Sequence, residues 1–230
     1  MYFQHSSDIW DDFLELVPGV LSAGGIHPDV DVESRIASWQ QVAEERLADA
    51  TESTLPEIQA WRRTFAKMGL KPTQYRCASE SLLRRFRKEG SLPRLHPLID
   101  LCNALSIAFA IPIAVLDTSK VTDWIEVRHA SGEESYLTFA GETEHPAPHE
   151  VIFADGAGRA HARRWTNRQS GYSAVQNSTA SVLIVAEAMH ESAADDIQRL
   201  VATIGEEVSS IWSATPAGTV LTRSDPRFVF

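Results

Sequence analysis

Pro112 separates two textures in this chain, and that division constrains the fold more than any other feature. Before it, apolar residues recur at helical spacing; after it, they fall in short runs bounded by Gly, Pro and acidic turns. Val32, Ile36, Trp39, Val42, Ala43 and Leu47 define one helix. Thr54 and Glu57 have the spacing of a capping box, which opens a helix carrying Ile58, Trp61, Phe65 and Met68 and stopping at Gly69. A short helix over about 79–89 ends at Gly90, and Pro97 begins a third, more buried one that runs to Ala108 or Phe109. Strands are expected at 113–117, 124–128, 136–139, 151–153 and 181–186, with another from Phe13 that is interrupted at Pro18. From Ala193 to Trp212, Ile197, Leu200, Val201, Ile204, Val208 and Ile211 make one apolar helical face. Strands grouped between helices imply an α+β fold, a mostly antiparallel sheet flanked by helices, with helix 193–212 packed on that sheet. No linker interrupts residues 1–230, so a single domain is expected. The opening Tyr2-Phe3-Gln4 resembles the scar of a cleaved tag, and residues 1–7 are assigned no function.

The apolar run Ala108–Leu116 is too short to span a bilayer and contains Pro112, and the N-terminus lacks a secretory pattern. Cys77 and Cys102 sit in dissimilar contexts and make neither a disulfide framework nor a metal pattern. A cytoplasmic protein without membrane contact is expected.

The net charge of −10 argues against a generic nucleic-acid binder, DNA included. The charge is unevenly spread, however: residues 1–60 carry 12 acids and 2 bases, whereas residues 61–94 carry 2 acids and 10 bases. Residues 159–168 add four arginines and no acid. Two readings stand side by side. Either these are two solvated basic faces on an acidic protein, or together they form a footprint for a polyanion.

The sequence contains no P-loop, no G-x-G-x-x-G and no G-x-S-x-G elbow, so no cofactor is expected. The prolines of His145-Pro-Ala-Pro-His149 forbid the helix that would align its histidines, and no metal site is expected. His96 reads as a helix cap or a packed histidine. Arg76, Ser79 and Glu80 precede a helix that Ser79 is placed to cap. Asn103 and Ser106 lie on the most apolar helix, where an unpaired amide costs about 1–3 kcal/mol, so both need partners in the fold or in a ligand. Arg163, Arg164 and Arg168 surround Trp165 and Asn167. That cluster suits phosphate pairing with stacking on a base, or else a basic loop whose tryptophan fills the core edge.

The order of Trp61, Phe65, Gly69, Pro72, Tyr75-Arg76, Ser79-Glu80, Leu82 and Arg85 resembles stand-alone members of the B3/B4 family. These are relatives of the tRNA-binding and editing domain of the bacterial phenylalanyl-tRNA synthetase β subunit. The resemblance spans about residues 60–187 and continues through Leu92-Pro93, Asn103, Ser106, Pro112 with Asp117, Arg128, Gly132-Glu133, Glu150, Asp155 and Arg164-Trp165-x-Asn167. It implies a B3/B4-like fold and work on tRNA or an aminoacyl group. Ala114 stands where the synthetase strand has histidine, Val185 stands at its pocket glutamate, and Arg163 to Ser170 replace its glycine-rich wall. Glu187, two residues beyond Val185, falls on the same face of a strand and can substitute.

Two functions follow from the resemblance. One is an editor that hydrolyses mischarged aminoacyl-tRNA in trans, with Glu187, Asn103 and Asn167 as its chemical groups. Arg76, Ser79, Glu80, Ser106, Asp117, Arg163, Arg164, Trp165 and Arg168 would then hold substrate or RNA. The other is a non-catalytic protein that binds an amino acid, another small molecule or RNA in the same pocket. No synthetase catalytic domain is present, so ligation of tRNA is not implied.

Overall fold

Helices end where the chain supplies stops, and the computed structural model, which describes residues 1–230, follows that punctuation closely. β1 (Tyr2–His5), α1 (Ser7–Asp12) and β2 (Val17–Gly24) lead into four helices: α2 (Glu33–Ala48), α3 (Pro56–Lys67), α4 (Ala78–Glu89) and α5 (Pro97–Phe109). Then come β3 (Ile113–Asp117), β4 (Trp124–His129), β5 (Tyr136–Leu137), β6 (Thr143–Glu144), β7 (Val151–Asp155), β8 (Ala160–Arg163), β9 (Arg168–Gln169) and β10 (Ser181–Ala188). α6 (Ala193–Trp212), β11 (Ala217–Val220) and β12 (Arg227–Val229) close the chain. Gly90 ends α4 in the left-handed region at φ 73°, a conformation that costs glycine little. The His96 side chain caps α5 by accepting from Leu98 N at 3.2 Å.

The fold is α+β, but its strands divide among three sheets where one was expected: β12-β1-β4-β7-β8-β9, β11-β2-β10-β3, and the pair β5-β6. All named strand pairs are antiparallel except β1 with β4. β10 lies between β2 and β3, and its two-residue period sets the layers. Val182, Ile184, Ala186 and Ala188 pack with α5 and α6, whereas Leu183 and Val185 point into a second apolar cluster shared with β4, β7 and α3. The four-stranded sheet thus forms a wall of both clusters within one domain. α6 lies on β2, β10 and β11. Ile197, Leu200, Ile204 and Val208 are buried there, while Val201 and Ile211 at the edges are partly covered. Gly19 permits the approach, because a Cβ at that position would collide with Val201 and Ile197.

Several local expectations are corrected. The capping box does not form: Leu55 occupies the N-cap with Pro56 behind it, Thr54 Oγ1 donates to Thr51 O at 2.8 Å, and Glu57 pairs with Arg46 at 2.6 Å. Ser79 is not the cap of α4; Cys77 is, and Ser79 is buried as the second residue of the helix. Pro18 lies inside β2, where it needs no donor of its own and its carbonyl accepts from Leu221 N at 2.8 Å. Residues 2–5 form a strand between β12 and β4, so this segment is part of the fold.

The residues after β4 show how buried charge is held. Burial pushes the Glu134 carboxyl up, but the backbone N–H groups of Ser131 and Gly132, at 3.0 and 3.1 Å, and Arg128 at 2.7 Å outweigh it and hold it at about 2. A folded-state pKa below the unfolded value of about 4.3 contributes stability that is present above that value. It is lost as pH falls from there toward about 2. Urea midpoints should therefore favour wild type over Glu134→Gln at pH 6, with the gap closing between pH 4 and pH 2; a constant gap contradicts this.

Candidate functional site

β3, β7, β8, β10 and the turn between β8 and β9 surround a pocket of about 60 Å³ beside the first turn of α4. On this scale a water needs about 10–15 Å³, so the pocket accepts a few waters or a small group. Phe153, Ala162, Ala114 and Val185 supply apolar walls, and Asn167, Gln169 and Glu187 supply the polar ones. Ala114 and Val185 are direct partners across β3 and β10, and Glu187 follows Val185 on the same face. The three positions that depart from the synthetase-like pattern therefore lie together on one pocket wall.

Glu187 is buried, and its carboxylate is oriented by two aromatic donors. His5 Nε2 lies 2.6 Å from Oε1, and Trp165 Nε1 donates to the same oxygen at 2.9 Å. Both contacts fall on Oε1, which leaves Oε2 without a protein donor. Trp61 Nε1 donates to the Glu187 backbone carbonyl at 3.2 Å and fixes the strand itself. Neither Arg76 nor Arg164 pairs with this carboxylate; its partners are rings from β1 and the β8–β9 turn. His5 falls within residues 1–7, to which the sequence assigns no function. Its only signal was a histidine at an inward position of the alternating Phe3-Gln4-His5 run.

The β8–β9 turn places Trp165 by strained backbone. Arg164 and Trp165 are consecutive non-glycine residues in the left-handed region, at φ 47° and 58°, a conformation costing about 1–3 kcal/mol each. Trp165 N donates to Val151 O at 2.7 Å, and the ring packs edge-on against Phe13 and Trp61 at centroid distances of 4.8 and 5.2 Å. With 0% of its surface exposed, Trp165 cannot stack on a base; its indole is a core residue that orients Glu187.

Arg163 is likewise withdrawn from phosphate contact. It is buried and makes a bidentate pair with Glu150 at 2.9 Å per bond, and Glu144 accepts from it at 2.5 Å. Burial pushes the Glu150 carboxyl up, but Arg163 overrides this and holds it below the usual range. Arg164 instead lies over the Tyr75 ring at 4.8 Å, and exposed Arg168 lies over Tyr136 at 5.3 Å and reaches Glu144 at 3.3 Å.

The two basic segments meet in space. Ala78 N donates to Thr166 O at 2.8 Å, and Asn167 Nδ2 donates to the Arg76 carbonyl at 2.7 Å. Much of the charge there is matched, however. Buried Glu80 takes Arg62 at 2.6 Å and Arg76 at 3.4 Å, while buried Glu52 takes Arg84 at 3.1 Å and Arg87 at 3.0 Å. The acidic N-terminal segment thus neutralises part of the basic one, which a count along the chain cannot reveal.

The remaining residues have structural partners or lie elsewhere. Ser79 Oγ contacts Cys77 Sγ at 3.4 Å, and Ser106 Oγ donates to Ile111 O at 2.7 Å beyond the end of α5. Asp117 accepts from Ser119 and Thr179, each at 2.7 Å, and organises the turn after β3. Asn103 lies half-buried on α5, outside the pocket lining. Burial pushes the Cys77 thiol up to about 11 and Cys102 to about 12, so neither is a thiolate nucleophile near neutrality. His145 and His149 do not converge; their ring nitrogens or backbone serve a loop through Glu134 O and His129.

The B3/4 domain profile matches residues 60–209, which include the pocket, both basic segments and most of α6. The chain belongs to the B3/4 domain family. Among solved structures it is similar to an N-terminal fragment of the phenylalanyl-tRNA synthetase β subunit from Pyrococcus horikoshii, at 8% identity and a TM-score of 0.47. That likeness covers 96% of this chain and 54% of the fragment, so the chain spans about half the fragment's length. No curated protein matches significantly. No helix of this B3/4 protein is long and apolar enough to cross a membrane.

Proposed function

We propose that the pocket receives the aminoacyl end of a mischarged tRNA and that the protein hydrolyses the ester in trans. The observation that carries this reading is Glu187: a buried carboxylate in a pocket wall, oriented through Oε1 by His5 and Trp165, with Oε2 left to a ligand. In this reading Oε2 accepts a proton from a water as its oxygen bonds to the ester carbonyl carbon. The ester C–O bond then breaks, and the terminal ribose hydroxyl leaves with a proton. Asn167 lies beside this position as a polar wall, and such chemistry rests on orientation and electrostatics rather than on a nucleophilic side chain. The small volume suits a small aminoacyl group. Hydrolysis of one or more members of a panel of mischarged tRNAs by the purified protein supports this assignment; a panel left intact rejects it.

The second reading, a non-catalytic binder of an amino acid or RNA, is favoured by Ala114 and Val185, which leave the pocket mostly apolar. It predicts saturable binding with no ester hydrolysis above background.

In either reading Arg76, Arg164 and Arg168 flank the junction of the two basic segments, so RNA phosphates are expected there. Arg164→Ala and Arg168→Ala together should weaken tRNA binding and reduce the salt slope by up to about one unit per lost contact. An unchanged slope across a salt series removes this surface from the proposal.

A further inference from the structure

Independently of the Glu187 pocket, α3, the turn after β10 and α6 bring Glu57, His190 and Asp196 together, with one ligand-type atom of each within 4.8 Å of the others. All three are buried, at 8%, 7% and 9% exposure. Two atoms of the trio, His190 Nδ1 and Glu57 Oε2, are enclosed and have no hydrogen-bond partner. The other contacts are accounted for. Asp196 Oδ2 accepts from His190 Nε2 and Ser192 Oγ, each at 2.7 Å, and Arg199 pairs with its other oxygen. Glu57 Oε1 accepts from Arg46 at 2.6 Å. Glu57 and Asp196, with Arg46 and Arg199, also line a surface cleft, which gives two of the three groups a path to solvent.

We propose that Glu57, His190 and Asp196 form a binding site for a divalent transition metal ion of the zinc type. One imidazole and two carboxylates make a mixed nitrogen and oxygen set that suits Zn²⁺ better than Mg²⁺ or Ca²⁺, which take oxygen shells. Ligand atoms around a tetrahedral Zn²⁺ stand about 3.3 Å apart, given metal–ligand bonds of about 2.0–2.1 Å. The His190–Asp196 contact must open slightly from 2.7 Å, and the widest gap must close from no more than 4.8 Å. Both are side-chain adjustments. The ion binds His190 Nε2 in place of the proton shared with Asp196, that proton moves to the unpartnered His190 Nδ1, the cleft supplies a water as fourth ligand, and Arg46 and Arg199 turn outward. Bound there, the ion ties α3 and α6 to the end of the strand that carries Glu187, three residues before His190.

The test is calorimetric titration of the metal-stripped full chain with Zn²⁺, alongside Co²⁺ absorption. The expected result is one ion per chain, with Co²⁺ bands of a tetrahedral or five-coordinate site. Glu57→Gln and His190→Gln should each weaken binding by about tenfold or more, whereas His149→Gln, in the exposed histidine loop, leaves it unchanged. Absence of stoichiometric binding to wild type overturns the proposal whether or not the variants fold. So does affinity that survives both site substitutions, or that is lost with His149→Gln.

Discussion

Arg163→Ala is expected to lower the melting temperature by roughly 10 °C. The guanidinium makes two bonds to Glu150, whose side chain is 7% exposed, and a third to Glu144, so truncation leaves a largely covered carboxylate without its cation. Breaking such a pair from one side costs about 3–5 kcal/mol, and each kcal/mol moves a domain of this size by about 2–4 °C. Glu150 also accepts from Arg164 N at 3.0 Å and Ala147 N at 3.2 Å, so the loss spreads to the left-handed turn that seats Trp165. Differential scanning calorimetry measures the change directly. If the melting temperature holds while tRNA affinity falls, Arg163 acts on phosphate and the structural assignment is wrong.

If the proposed editing activity holds, Glu187→Gln should reduce ester hydrolysis by about 10²–10⁴-fold, the usual contribution of a positioned proton acceptor, while tRNA affinity stays within about twofold. Glutamine keeps the shape and an oxygen for the Trp165 indole, but its amide cannot accept the water's proton. Single-turnover deacylation with the best substrate of the panel, paired with a binding titration, separates the two effects. A variant that hydrolyses as fast as wild type places the chemistry elsewhere, and one that loses tRNA binding in proportion points to a binding role for the carboxylate.

Glu187 also shows where sequence reasoning reached and where it stopped. Its position two residues past Val185 sufficed to put it on the same strand face as the family's pocket glutamate, because strand geometry alternates by two. Its partners were out of reach. His5 lies 182 residues away in sequence, and nothing in a four-residue strand announces its pairing with β4 and β12. For Arg163 and Trp165 the sequence leaves two readings open, phosphate pairing with stacking on a base or a basic loop whose tryptophan fills the core edge. The fold offered Glu150, Glu144 and the Trp61–Phe13 cage, and burial followed from those partners.

What the sequence determined by itself is local and periodic. The apolar stripe of α6, the stop at Gly90, Pro97 opening α5 and the extent of β3 all follow from residue spacing and backbone preference over a few neighbours. Those elements in that order sufficed for an α+β fold. The tertiary structure alone decided the division into three sheets, the neutralisation of basic α4 by Glu52, and the joining of α3, α6 and the end of β10 around Glu57, His190 and Asp196. Each depends on groups far apart in the chain meeting in a low-dielectric interior, where partners rather than neighbours set whether a charge is free, paired or available to a ligand.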